Sequence, residues 1–425
     1  MGGWKRGYSM ITTHLILNLL LILSVAWVLG SLFSRFGLPA MLGELLAGVI
    51  LGPPVLGLVF PSDAIELLAE LGIFFVMFHS GMEMDPKELL EHIWPSLGVA
   101  LGGFAIPYAL GFLTAKAFGA TLFQALMIGM GISVTALAVQ MVVLHSMRIN
   151  RSELGHVIIG AAIADDILAL IALTTLLGLA KTGSIDFPVL SLILLKVVAF
   201  FALTILMGEF VVPRFTRHLT DKGGKAFTFA VVIALLMGYC AELAGLHFVV
   251  GAFLGGQFVR REIIDNRVYE VINDRFFGIS YGFLVPIFFA SLSFHLHFSL
   301  EPSFLIFSLA LIFVAVVGKL VGCGLGAALF KYNFWESSII GLGMNGRGAV
   351  ELVIATVVLK QSQDLMAKGV ISAPLLTGDQ FSALIFMAFV TTFLAPVSLK
   401  WAVTRTCGLT ERADFCKLWD KSKEL

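Results

Sequence analysis

Charge is what this chain has least of. Only 13% of its 425 residues are Asp, Glu, Lys or Arg, against about a quarter in ordinary soluble domains. Basic and acidic residues balance at 28 each, so there is no basic excess to hold a nucleic acid. Cysteine is also scarce. Cys240, Cys323, Cys407 and Cys416 form neither a CxxC pair nor a metal-ligand spacing. They read as buried small side chains or cytosolic-side thiols rather than a disulfide framework. Long polar stretches are missing too, and without them the chain has no room for a separate soluble domain. Apolar sequence fills the space instead. Hydrophobic residues make up 58% of the chain and the mean hydropathy is +0.96, which puts it among integral membrane proteins.

Apolar runs of membrane-spanning length, about 17–25 residues, can be counted thirteen times: 13–33, 38–59, 65–82, 93–115, 121–146, 155–180, 187–213, 226–244, 246–260, 276–298, 303–330, 336–359 and 379–403. The second carries Pro53-Pro54, and the ninth is short. Thirteen crossings put the loops around Arg35, Lys87, Arg148, Arg214 and Arg260 and the C-terminus on one side, with most of the Lys and Arg residues. The positive-inside rule makes that side cytoplasmic, so the N-terminus is expected outside. An even count would scramble the asymmetry. The expected organisation is one transmembrane domain, residues 1–403, and a short basic cytoplasmic tail, 404–425.

Gly341–Gly346 reads GLGMNG, a literal GxGxxG. A dinucleotide site needs a strand before that motif and a helix after it, and here it lies inside an apolar run. The more informative residues are charges in the middle of such runs. A charge there costs about 2.5–3.5 kcal/mol on insertion scales and marks a functional candidate. The sixth run holds Asp165 and Asp166 side by side. Adjacent helix residues point about 100° apart, so one can be paired while the other lines a water-filled path. The eleventh run holds Lys319, too deep to reach an interface and therefore in need of a buried anion. The aspartate pair is the best one available.

The fifth and twelfth runs are rich in poor helix formers. Gly129, Gly131, Ser133 and Thr135 interrupt one, and Gly343, Asn345, Gly346 and Gly348 interrupt the other. Runs 1–6 and 8–13 can be read as two inverted repeats joined by run 7, and the interruptions then fall at matching places. That pattern points to a transporter site. Arg347 and Glu351, one turn apart, are the charges available to neutralise the half-helix ends or to pair with each other. The fold expected is an all-α membrane protein of about thirteen helices, two inverted repeats with two crossed broken helices. Glu44 and Glu242 are single carboxylates near run ends. His295 and His297 do not share a helix face, which argues against a metal site. His79 is expected at the membrane interface.

Seven motifs follow one another along nearly the whole chain: LGELLAGVILGP (Leu42–Pro53), FHSGMEMDP (Phe78–Pro86), ISVTALAVQ (Ile132–Gln140), AAIADDILAL (Ala161–Leu170), AELAGLHFVVGAFLGG (Ala241–Gly256), LVPIFFASLSF (Leu284–Phe294) and GMNGRGAVELVIA (Gly343–Ala355). In this order the chain resembles the monovalent cation:proton antiporters. The branch is the one that includes bacterial sodium/proton exchangers and the membrane part of glutathione-gated potassium efflux systems. The resemblance implies a homodimer in the bacterial inner membrane, each protomer an interface panel and a moving core. It implies no cofactor beyond the transported Na⁺, Li⁺ or K⁺ and H⁺. Asp166 would bind cation and proton in turn, with Asp165 paired to Lys319 and able to join as a second Na⁺ ligand. Thr135 and Ser133 would lie at the first break, and Asn345, Arg347 and Glu351 at the second. The efflux systems carry a cytoplasmic nucleotide-binding domain that this chain does not show. Some potassium-linked members have Gln-Asp where this chain has Asp165-Asp166, so the doublet leans towards electrogenic Na⁺(Li⁺)/H⁺ exchange. A potassium-selective or electroneutral exchanger shares every feature. A sodium-coupled organic anion symporter and a non-transporting membrane sensor are the more distant readings.

Overall fold

Lipid offers no partner for backbone N–H and C=O groups, so a spanning chain satisfies them within helices or a closed barrel. This chain does so with helices. The computed structural model describes residues 2–182, 187–212, 214, 224–261, 263–296, 301–371, 373–409 and 416, with no strand among them. The α-helices are α1 (Gly2–Arg35), α2 (Ala40–Leu51), α3 (Asp63–Glu83), α4 (Pro86–Glu91), α5 (Ile93–Ala117), α6 (Leu122–Ser133), α7 (Leu137–Ser146), α8 (Glu153–Thr182), α9 (Phe187–Leu206), α10 (Lys225–Ala244), α11 (Phe248–Gly256), α12 (Asn266–Ile279), α13 (Val285–Leu292), α14 (Pro302–Ala328), α15 (Phe334–Gly343), α16 (Ala349–Ala367) and α17 (Gly378–Leu409).

Among the described residues, ten helical stretches are long and apolar enough to cross a membrane, with the interrupted Leu122–Ser146 counted as one. The short helices α2 and α11 and the interrupted pair α15–α16 occupy the other three apolar runs. Two boundaries differ from the sequence reading. The second run is helical only to Leu51, and the chain turns at Gly52 before Pro53. The helical stretch that holds the tenth apolar run begins at Asn266, ten residues before that run. Its first turns, NRVYEVINDR, are amphipathic and therefore invisible to a hydropathy scan.

The helices sort into two bodies. In one, α1 packs on α2, α3 on α11 and α13, and α10 on α11 and α12. In the other, α5 packs on α6, α8 and α14, while α15 and α17 close around α14. We call these panel and core. Run 7, as α9, touches both α8 and α10. The two repeats share an order of elements: the second helix of each is short (α2, α11), and the fifth is broken (α6–α7, α15–α16).

Glycine sets the tightest contact in the core. A Cβ on Gly102 would lie 2.3 Å from the Gly322 carbonyl oxygen, and a Cβ on Gly322 would lie 2.3 Å from that of Gly102. Small residues in this spacing let membrane helices approach backbone to backbone. One turn from Gly322 is Lys319, so this contact fixes the depth and direction from which its side chain starts.

The cysteine reading needs correction. Cys323 is buried and Cys240 half-buried, but Cys407 and Cys416 form a disulfide, their Cα atoms 5.4 Å apart. A nine-residue separation carries no pairing signal of its own.

Replacing Gly322 by valine forces α5 and α14 apart and should cost about 1–3 kcal/mol, the usual penalty of overpacking. Denaturant titration in detergent reads this as a lowered midpoint. An unchanged midpoint would mean that the two helices are not held at this distance.

Candidate ion site at two helix breaks

Both broken helices start alike. Thr121 and Gln124 form a capping box at the start of α6, and Asn333 and Glu336 form one at the start of α15. Each half-helix then ends deep in the protein, at Ser133 and at Gly343. Val134 and Ala136 are extended, so neighbouring carbonyls and N–H groups lose their helical partners. The two breaks satisfy each other. The Ala136 N–H donates to the Gly346 carbonyl at 3.1 Å. The Thr135 hydroxyl donates to the Met344 carbonyl at 3.3 Å, and the Gln140 amide to the Gly346 carbonyl at 3.0 Å.

Arg347 is fully buried, and its guanidinium donates to the carbonyl of Ile132 in the last turn of α6. A cation there meets the partial negative charge of a helix C-terminus. Its backbone N–H donates to the Thr392 hydroxyl on α17 at 3.0 Å. Glu351 lies on α16, and its side chain is outside the described residues. Ser133 turns its hydroxyl back along α6, onto the Gly129 carbonyl at 2.7 Å. Asn345 donates to the Gly341 carbonyl at 3.0 Å and so closes the end of α15.

Beside the crossing runs α8. Lys319 Nζ lies 3.1 Å from Asp165 Oδ2, and both side chains are fully buried. Thr135 and Arg347 are the other groups that act on Asp165. Asp166, one residue on, keeps 8% of its surface accessible. The structure thus brings Asp165, Lys319, Thr135 and Arg347 together, with Asp166 at the next position of α8. Gln140 Oε1 and Asn345 Oδ1 are among the buried acceptors that lack a hydrogen-bond donor. Gln140 and Thr392 are polar residues that the sequence reading gave no role. Gln140 ends a quoted motif, but Thr392 lies in an ordinary apolar run and gives no signal.

Three weaker candidates resolve differently. His79 faces neither lipid nor water: it is 1% exposed and packs against His145 and Tyr281. Its neighbours on α7 and beyond α12 cover it, which a linear scan does not register. His295 lies 3.6 Å from Glu66, and His297 is outside the described residues. Gly341 and Gly343 end α15 and follow a helix, so the GLGMNG stretch has no strand before it.

Residues 20–405 match the model of the sodium/hydrogen exchanger transmembrane family. The chain belongs to that family. It is 31% identical to the Na(+)/H(+)-K(+) antiporter GerN of Bacillus cereus, over 92% of this chain and 96% of that one. It is 30% identical to a Na(+)/H(+) antiporter of Enterococcus hirae, over 91% and 97%. The fold matches a solved structure of the sodium proton antiporter MjNhaP1 from Methanocaldococcus jannaschii with a TM-score of 0.69 at 19% identity, covering 92% of this chain and 97% of that one. The chain is therefore a monovalent cation:proton antiporter, a transporter and not an enzyme.

Removing one partner of a buried ion pair leaves the other charge stranded, at a cost of about 3–5 kcal/mol. Lys319→Ala should lose stability of that order, and Asp165→Asn with Lys319→Ala should recover much of it. Thermal unfolding of the single and double variants in detergent forms the cycle. Additive losses would mean that the two groups do not interact.

Proposed function

We propose that the chain exchanges Na⁺ or Li⁺ for protons by alternating access, with cation and proton competing at Asp166 and Asp165. One observation carries this reading. A fully buried carboxylate–ammonium pair stands beside a second, largely buried carboxylate, at the point where two helices are broken. Ordinary Asp, with a pKa of about 3.9, holds no proton near neutral pH. Burial favours the neutral form of a carboxylate, a nearby ammonium favours the charged form, and two neighbouring carboxylates titrate together.

In this mechanism Asp166 gives up its proton as the cation arrives. Asp165 leaves Lys319 to coordinate it, and Lys319 gives up a second proton. Two protons then exchange for one cation, and one net charge crosses, worth about 2.3 kcal/mol per 100 mV. Thr135 at the first break and the orphaned Asn345 oxygen at the second are further oxygen ligands for a hard cation. Ser133 belongs to the same set through its position, although its hydroxyl serves the α6 backbone. Arg347 and Glu351 hold the break electrostatically. The second reading, exchange of K⁺, is favoured by the name of the GerN relative.

The same proposal includes the sidedness and the dimer. The C-terminus faces the cytoplasm of a bacterial cell, where the basic loops gather, and the N-terminus lies outside. Trp27 on α1 and Tyr239 on α10 stand among exposed apolar side chains, a surface for lipid or for a second copy of the chain.

Proteoliposomes given Na⁺, Li⁺ and K⁺ in turn, with an imposed potential, test the mechanism. Cation-driven proton release should vanish in Asp166→Asn and respond to the potential in the wild type. Undiminished exchange by Asp166→Asn would sink the two-carboxylate account. Exchange indifferent to potential would leave the electroneutral alternative.

A further inference from the structure

The two repeats correspond residue by residue at their breaks. Gly129, Gly131, Ser133 and Thr135 stand at alternate positions in the first repeat, and Gly341, Gly343, Asn345 and Arg347 do so in the second. Arg347 is thus the counterpart of Thr135. The helices that follow the breaks, α8 and α17, correspond as well. In their middles stand ADDILA (Ala164–Ala169) and VTTFLA (Val390–Ala395). Thr391 and Thr392 therefore take, in the second repeat, the places that Asp165 and Asp166 hold in the first. Nothing within α17 alone singles them out.

The counterparts make corresponding contacts. In the first repeat Thr135 acts on Asp165. In the second, the Arg347 N–H donates to the Thr392 hydroxyl at 3.0 Å, and that hydroxyl faces the Arg347 carbonyl in turn. Residues 346–348 belong to no helix, so their backbone groups need partners from elsewhere. The first break supplies donors for the Gly346 carbonyl. Thr392 serves both backbone groups of Arg347. Bridging the N–H and C=O of one residue takes a group that accepts and donates, which a hydroxyl can do and an ionised carboxylate cannot. The Thr392 oxygen also lies 2.8 Å from the Ala388 carbonyl of its own helix, so one proton serves two carbonyls. Thr391 supplies the contrast. It is as deeply buried, but its hydroxyl stays within α17, 2.8 Å from the Met387 carbonyl and 3.0 Å from that of Ala388.

We propose that Thr392 is a positioning residue of the ion site, the neutral counterpart of the aspartate pair: its hydroxyl fixes the Arg347 backbone and so the distance that the guanidinium keeps from the bound cation. The guanidinium, anchored on the Ile132 carbonyl, is within electrostatic reach of Asp165. Without the hydroxyl, the 346–348 backbone is free to shift and the guanidinium can approach the aspartates. Its charge then repels a cation bound there, and cation affinity falls. Arg347, Gly348 and Thr392 line a cavity of about 20 Å³ together with Leu45 and Leu292 of the panel. No other polar side chain lines it, so none is at hand to take over the bridge. The inference rests on the reading that the cation binds at Asp165 and Asp166.

The test uses the full chain in proteoliposomes, with sodium-driven proton movement measured over a range of Na⁺ concentrations. Thr392→Val keeps the shape and removes the hydroxyl. It should raise KM for Na⁺ about tenfold and leave the maximal rate within about threefold. Thr392→Ser should return KM to within about twofold of the wild type. Thr391→Val makes the same change one residue away and should keep the wild-type KM. A merely structural loss lowers the active fraction, and with it the maximal rate, and spares KM. An unchanged KM in Thr392→Val, or an equal rise in Thr391→Val, would overturn the assignment.

Thermal stabilisation by Na⁺ in detergent needs no transport. The Na⁺ concentration at which it sets in should rise about tenfold in Thr392→Val and stay unchanged in Thr391→Val. Should Thr392→Val fail to fold, Thr392→Cys takes its place. Its thiol bonds weakly, so a smaller rise in the same direction is expected, and a wild-type value would overturn the positioning role. Asp166→Asn separates this role from the reading it rests on. Na⁺ stabilisation undiminished in Asp166→Asn would place the cation elsewhere and end the two-aspartate reading. Stabilisation lost in Asp166→Asn but unaltered in Thr392→Val would end the positioning role alone.

Discussion

A fully buried ammonium and a fully buried carboxylate, 3.1 Å apart, set the terms for the rest of the core. Lys319 and Asp165 do not add stability in proportion to their attraction, because removing both charges from water costs several kcal/mol per ion. What the pair enforces is position. Neither α14 nor α8 can shift without stranding a charge. The Gly102–Gly322 approach then ties α14 to α5, and the hydrogen bonds between Thr135, Ala136, Gln140 and the 344–346 carbonyls tie the two breaks together. The core is held as one body by interactions that tolerate little displacement.

The panel is built the same way, and the seam between the two bodies is not. A Cβ on Gly81 would lie 1.9 Å from the Phe253 oxygen, and one on Gly256 would lie 2.0 Å from that of Phe78. Both contacts join α3 to α11 inside the panel. A Cβ on Gly48 would lie 2.1 Å from the Ala290 oxygen, a contact that joins α2 to the panel helix α13. Across the seam the approach is looser: a Cβ on Gly348 of the core would lie 3.8 Å from the Phe288 ring. Close backbone packing within bodies and side-chain contact between them is the arrangement that a rigid-body movement needs.

Much of this was legible in the sequence. Glycine, serine and asparagine inside two apolar runs announce the breaks, and a lysine too deep to reach water demands a buried anion. These features are local, and the cost of lipid makes them unambiguous. What stayed hidden depends on partners far apart in the chain. Thr392 meets Arg347 across 45 residues and Gln140 meets Gly346 across 206. The burial of His79 against His145 and Tyr281 belongs to the same class. Hydropathy sees whether a segment prefers lipid, but not which polar side chains a neighbouring helix covers. Ser133 shows the limit from the other side: its place beside the break was readable, while the direction of its hydroxyl was not.

The two buried cations have different capacities, and the stoichiometry turns on the difference. Arginine keeps its proton in proteins, whereas a desolvated lysine gives its proton up readily. Arg347 is also committed to the Ile132 carbonyl and therefore to the geometry of α6. With both aspartates ionised and both cations charged, the charges of these four side chains cancel. A monovalent cation entering that site leaves it with one excess positive charge in a low-dielectric setting. The site can keep that charge, or expel it as a proton from Lys319. In the proposed mechanism, then, Lys319 alone decides between exchange of one proton and exchange of two. Its freedom to decide depends on Asp165 leaving it for the cation at the same moment.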